Sequence, residues 1–239
     1  SDVIIKTQDK KFDGSVTADN YGRSDAGEYR YSATVGVNNL FGFADRTQLL
    51  FLHSNTNRLN YGDLAYSIPV MSNGLTLSAD YGYAYFSAEL APPFESSGRN
   101  KNANVSLQMP WTRSYTDTFS SSIGWLYTDA NADLTGLSIS NTNIQLLNLG
   151  LSESHAWRNG GVSQVSGSLH SNFKGYSDSS CNTFQCRDEE ARVELNLQHL
   201  QPLPYQLQIL AALDGVYSPN ELPDTEKLAI GGPTSIRGF

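Results

Sequence analysis

The sequence predicts an all-β chain that forms most of a transmembrane antiparallel β-barrel. Three observations carry this expectation: apolar and polar residues alternate with period 2 along most of the chain, the alternating runs are long, and the connections between them alternate between short and long. No stretch approaches the ~20 consecutive apolar residues a membrane helix requires, so helical spanning is excluded. Charged residues make up 17% of the 239 residues, against about 25% in a typical soluble domain. An alternating chain of this kind crosses a bilayer only as a closed barrel, because lipid leaves no partner for an open sheet edge.

The alternation is clearest at 75–85. There Leu75, Leu77, Ala79, Tyr81, Tyr83 and Tyr85 share one face, and Thr76, Ser78, Asp80, Gly82 and Ala84 the other. The same pattern places Tyr29, Tyr31, Ala33, Val35 and Val37 opposite Glu28, Arg30, Ser32, Thr34 and Gly36. It recurs at 191–198 and 205–214, and in shorter form at 103–109 and 119–127. About eleven strands are expected, at 11–20, 28–40, 46–54, 60–70, 74–86, 101–109, 116–128, 142–154, 162–173, 188–199 and 205–217. Runs of ~9–12 residues suit a tilted strand crossing the hydrocarbon core.

Short turns are expected near 41–46, 71–74, 110–114, 155–161 and 201–204, marked by Asn73-Gly74, Pro110, Asn159-Gly160-Gly161 and Pro202 with Pro204. Longer polar connections are expected near 20–28, 54–60, 87–101, 129–142, 173–188 and from 217 onward. Tight turns at one end and long loops at the other are the habit of outer-membrane barrels. Tyr85, Trp111, Tyr127, Trp157 and Tyr217 fall at strand ends, where interfacial aromatics belong. Because bacterial single-chain barrels use even strand numbers, an odd count predicts further strands after Phe239. Residues 1–10 read as the end of an upstream periplasmic domain or a linker, and 11–239 as the barrel. The opening Ser1-Asp2 runs straight into strand-like sequence, so any targeting segment is expected to have been removed or left out.

The formal net charge is -8, with no basic run or Arg/Lys stripe, which argues against nucleic acid as a partner. Cys181 and Cys186 lie in a polar segment between Asp178 and Asp188. In an oxidising compartment they are expected to close a small loop disulfide, since two cysteines without a nearby histidine make a poor metal site. The four histidines, at 53, 155, 170 and 199, are scattered. Asp188-Glu189-Glu190 reads as a solvated face. No nucleophile elbow, metal spacing or phosphate-cradling glycine loop is present. The expectation is a non-enzyme with no catalytic residues, metal or cofactor.

The chain ends Leu228-Ala229-Ile230-Gly231-Gly232-Pro233-Thr234-Ser235-Ile236-Arg237-Gly238-Phe239. This resembles the Gly-Gly…(Val/Ile)-Arg-Gly-(Phe/Tyr) signature of the polypeptide-transporting β-barrels. Asp19-Asn20-Tyr21-Gly22, followed by Gly27, is similar to the opening of the two-partner secretion (TpsB) branch, with Glu28 where arginine is frequent. Asn38-Asn39-Leu40-Phe41-Gly42 with Asp45, Tyr66-Ser67-Ile68-Pro69-Val70 with Gly74, and Leu200-Gln201-Pro202-Leu203-Pro204 extend the resemblance. Leu213-Asp214-Gly215 before Glu226-Lys227-Leu228 does the same. It covers both ends of the chain well and the middle poorly.

The resemblance implies a 16-stranded barrel preceded by two periplasmic POTRA domains, in the Gram-negative outer membrane. It further implies that Gly231, Gly232, Ile236, Arg237, Gly238 and Phe239 form a sixth outer loop folded into the lumen. Arg237 would there pair with a carboxylate from a strand beyond this chain. The implied partner is a large secreted exoprotein of the adhesin, haemolysin or contact-dependent inhibition type. The surroundings are outer-membrane lipid and lipopolysaccharide, and the barrel is expected to be monomeric. An assembly or insertase factor of the same superfamily, and a passive porin, are the alternatives that the residues leave open.

Overall fold

In the computed structural model, residues 10–89, 94–172, 177–178 and 191–219 are described. They form one antiparallel meander. The strands are β1 (Phe12–Asp19), β2 (Arg30–Asn38), β3 (Arg46–Ser54), β4 (Leu59–Pro69), β5 (Thr76–Glu89) and β6 (Glu95–Arg113). There follow β7 (Asp117–Leu134), β8 (Leu137–Ala156), β9 (Val162–Asn172), the two-residue β10 (Ser177–Asp178), β11 (Ala191–Pro202) and β12 (Gln208–Tyr217). Each long strand pairs with the next, and β10 adds to β8. Among the described residues β1 and β12 are the outer edges of this sheet. The eleven long strands match the expected count, and most boundaries lie within a few residues of those expected.

Register shows why the alternation works. Asp13↔Gly36, Ser15↔Thr34, Thr17↔Ser32 and Asp19↔Arg30 stack polar residues across β1 and β2. The intervening pairs, Phe12↔Val37, Val16↔Ala33 and Ala18↔Tyr31, are apolar. A slip of one residue would turn every one of these to the wrong face. The same separation persists between β9 and β11, where Val193↔Leu169 and Leu195↔Gly167 alternate with Glu194↔Ser168 and Asn196↔Ser166.

The middle strands depart from expectation. β6, β7 and β8 have 19, 18 and 20 residues, so the loops expected at 87–101 and 129–142 are largely ladder. Glu89 pairs with Glu95, and Leu134 pairs with Leu137. The β7–β8 hairpin turns on two residues, Thr135 (φ 51) and Gly136 (φ 80), the doubly positive φ of the tight turns that match strand twist. These segments are polar on both faces, which made them look like loops. Backbone pairing does not require an apolar side, and beyond the bilayer water wets both faces.

The apolar outward face of these strands has a sharp edge. On β6 it runs through Trp111, Met109, Leu107, Val105 and Ala103, then gives way to Lys101 and Arg99. On β7 it runs from Phe119 through Ile123, Trp125 and Tyr127, then changes to Asp129, Asn131 and Asp133. Nine residues span ~30 Å along a strand, the length a tilted strand needs for the hydrocarbon core. On β8 the edge falls between Leu147 and Gln145, one residue pair lower than on β7. On β9 it falls between Leu169 and Ser171, lower by one more pair. A belt that steps along the ladder is what strands tilted to the membrane normal produce.

At the short-turn end the indoles sit at the belt's margin. Trp111 and Trp157 are exposed, yet each donates its Nε1–H to a serine, Ser121 and Ser163, at 2.8 Å. That leaves the ring free to face lipid with its polar atom satisfied. Trp125 and Tyr127 stack with centroids 6.1 Å apart at the opposite margin. At the last hairpin, 204–206 form a 3-10 turn with Tyr205 at φ 63, so β12 starts three residues later than expected.

Candidate functional site

The face opposite the belt is the wall of the candidate conduit. It is polar and closely cross-bonded: Thr17 to Ser32 (2.6 Å), Asn104 to Asp80 (2.9 Å), Gln108 to Ser120 (3.2 Å) and Ser120 to Ser152 (2.7 Å). Asn196 also bonds Asp214. Cross-strand pairs of this kind hold the wall while their side chains stay short. An interruption lies at Leu126, Ile144 and Leu146, which share the inward parity; Ile144 and Leu146 are the buried apolar side chains of the described residues.

Two ion pairs tie β1 to its neighbours on this wall. Arg30 Nε lies 2.8 Å from Asp19 Oδ1 at the long-loop end. At the short-turn end Arg46 Nη1 and Nη2 donate to the two Asp13 carboxylate oxygens at 2.9 and 3.0 Å, and Nη1 also reaches Asn38 Oδ1 at 2.7 Å. The fork geometry of a guanidinium on a carboxylate gives direction as well as energy. Asp13, Asn38 and Arg46 come from three consecutive strands. A third cluster joins β9 and β11: Arg192 Nε and His170 Nε2 lie 3.0 and 3.5 Å from the Glu194 carboxylate. His170 and Arg192 are both buried. Sequence reasoning named Asp19 as part of a motif but assigned none of these pairings; charged residues at the inward parity of an alternating strand were the available signal.

The motif Asp19-Asn20-Tyr21-Gly22 is described, and its geometry is a turn device. Asp19 Oδ1 accepts the Tyr21 N–H at 3.0 Å as well as the Arg30 bond. The Gly22 N–H donates to Glu28 O at 3.0 Å. A Cβ at Gly22 would lie 1.9 Å from Gly27 O, so only glycine fits this approach of two chain segments.

Other resemblance residues also shape turns. Asp45 is buried and accepts from the Phe41 and Phe43 amides, while Asn39 Oδ1 accepts from Ala44 N. Leu75 N donates to Asn73 Oδ1 beside Gly74 at φ 93. Gly231, Gly232, Ile236, Arg237, Gly238 and Phe239 lie outside the described residues, as do Cys181 and Cys186. Among the described residues no group of His, Cys, Asp or Glu is arranged to hold a metal ion.

A meander with an apolar belt outside and a polar wall opposite it is the membrane-spanning β-barrel architecture of the outer membrane. The family model described as "Haemolysin secretion/activation protein ShlB/FhaC/HecB" matches residues 1–239. The chain belongs to that family, and so to the two-partner secretion transporters its motifs resemble.

The heme/hemopexin transporter protein HuxB of Haemophilus influenzae (strain 86-028NP) is 24% identical over 248 residues, covering 100% of this chain and 44% of the relative. The outer membrane transporter CdiB of Dickeya dadantii (strain 3937) is 25% identical over 254 residues, covering 95% and 42%. Among solved structures, CdiB from Escherichia coli superposes with a TM-score of 0.86 at 18% identity, covering 98% of this chain and 45% of that one. CdiB from Acinetobacter baumannii gives 0.71 at 20% identity, covering 96% and 43%. The fold is therefore that of these barrels. The chain spans less than half the length of the relatives it matches.

Proposed function

We propose that the whole protein exports a large partner exoprotein, of adhesin, haemolysin or contact-dependent inhibition type, through the lumen of this barrel. The carrying observation is the cross-bonded polar wall opposite an apolar belt, in a chain of the secretion family. A polar lumen lets an unfolded chain pass with its backbone hydrated, whereas an apolar one would strip water from every peptide group. The short turns then face the periplasm and the extended β6–β8 ladders the cell exterior. Two POTRA domains upstream would capture the exoprotein, and strands following Phe239 would complete a monomeric barrel of sixteen. The protein acts as a conduit with no enzymatic step and no cofactor.

The loop holding Gly231, Gly232, Ile236, Arg237, Gly238 and Phe239 would brace the lumen. An arginine inside a lumen is costly unless paired, and its planar fork suits a bidentate carboxylate. The test uses the full-length protein expressed with its exoprotein, which is measured in medium and periplasm. Arg237→Ala is expected to reduce export or lower the thermal stability of the barrel. Wild-type export with normal thermal behaviour would overturn the loop's role. Export unaffected by deleting the whole protein would overturn the transport reading.

A further inference from the structure

The outward face just beyond the belt carries two cations, Arg99 and Lys101, that the transport reading does not use, with Asp129 and Asp133 on the same face of β7. The β6 parity occupied by Val105 and Ala103 inside the belt continues into Lys101 and Arg99. These two side chains stand about 7 Å apart on one face. Across the ladder Lys101 pairs with Tyr83 and Arg99 with Tyr85. Asn60 stands opposite Tyr85 on β4, and His53 Nδ1 lies 2.7 Å from Asn60 Oδ1. The row His53, Asn60, Tyr85, Arg99 therefore contains no carboxylate.

On the other side Lys101 Nζ is 3.6 Å from Asp129 Oδ2, both half-exposed, which offsets part of that lysine's charge. Arg99 is exposed and makes no ion pair among the described residues. Its backbone N–H is held by Asn131 Oδ1 at 3.1 Å, which pins the row to β7.

We propose that Arg99, assisted by Lys101 and the Tyr85 hydroxyl, binds a phosphate of lipid A in the outer leaflet. The proposal rests on the outer-membrane reading above. Three features favour this occupant. A guanidinium matches phosphate oxygens bidentately. The cations begin at the first outward position past the hydrocarbon belt, where a lipid phosphate lies. Tyr81, Ala103 and Val105 directly below offer apolar surface to the acyl chains of the same molecule. A free phosphate ion would gain nothing from that adjoining surface.

The test is lipid A retention by the full-length protein in detergent, read by native mass spectrometry, with folding verified by heat-modifiable migration. The Arg99→Gln/Lys101→Gln double variant is expected to retain bis-phosphorylated lipid A about tenfold less well. Arg113→Gln at the opposite end should match wild type, and Arg99→Lys should fall between. Wild-type protein offered dephosphorylated lipid A should bind it no better than the double variant does. Equal retention by wild type and double variant overturns the site, as does indifference to the lipid phosphates. Displacement of lipid A by millimolar inorganic phosphate overturns the choice of occupant. Retention is measured without exoprotein, so a failure of the transport reading and a failure of this one are distinguishable.

Discussion

The Asp19 carboxylate on β1 and the Arg30 guanidinium on β2 meet at 2.8 Å across a directly paired position of the ladder. The same carboxylate oxygen holds the Tyr21 amide. One residue therefore sets the end of the first strand, the start of its turn and its attachment to the second strand. Asp13 and Arg46 do the equivalent work at the other end of β1. β1 is thus fastened to its neighbours at both ends from the wall side.

Asp19→Ala is expected to destabilise the barrel by about 1–3 kcal/mol, because it removes a charge-assisted bond and strands a part-buried guanidinium. Denaturant midpoints of the folded protein in detergent or vesicles measure this. A double-mutant cycle with Arg30→Met should return a coupling of about 1 kcal/mol or more, and no coupling would mean that the pair contributes only through each residue's separate contacts.

Gly22→Ala tests the turn. The added methyl would meet a carbonyl oxygen 1.9 Å away, and backbone cannot yield as a flexible side chain does. A loss above about 2 kcal/mol is expected. Gly136→Ala, whose Cβ would meet nothing within 4 Å but whose φ is +80, should cost only the backbone strain, about 1 kcal/mol. Similar losses at the two sites would contradict the crowding argument.

The belt's edge is testable by charge insertion. Leu149→Arg, on the outward apolar face of β8, should cost about 2–4 kcal/mol on folding into lipid vesicles. Asn143→Arg lies on the same face of the same strand beyond the edge and should cost under about 1 kcal/mol. Equal costs would place the hydrocarbon boundary elsewhere.

The Cys181 and Cys186 expectation has a direct readout. Protein isolated under oxidising conditions should resist maleimide labelling until reduced, and then take two labels. Immediate labelling of both thiols in unreduced protein would show that the loop is not cross-linked.

Much of the architecture was legible because period 2 is a physical necessity of a two-sided sheet. Strands β1 to β5 could be located from alternation bounded by Asn73-Gly74 and similar breakers. β6 to β8 were cut short because their distal halves, such as Asn100, Asn102, Asn131 and Asn141, carry no apolar face to mark them. Nothing in the local sequence says that Asp133 and Ser138 will pair; that follows from the two-residue turn at Thr135-Gly136. The turn role of Asp19 and Gly22 was visible only as a motif. The crowding that demands glycine became visible once Gly27 was placed beside it.

By itself the sequence determined which residues share a face, that the chain spans a membrane as strands, and which family its motifs resemble. These follow from side-chain chemistry and short-range spacing. Tertiary structure decided where the belt ends, which charges meet, and how far the ladders stand clear of the bilayer. Those depend on register between strands distant in sequence: Asp13 and Arg46 are separated by a whole strand and its turns before they become neighbours. Lys101 and Asp129 likewise meet only after the chain has reversed. Pairing across a sheet is a property of two segments together, and no single segment contains it.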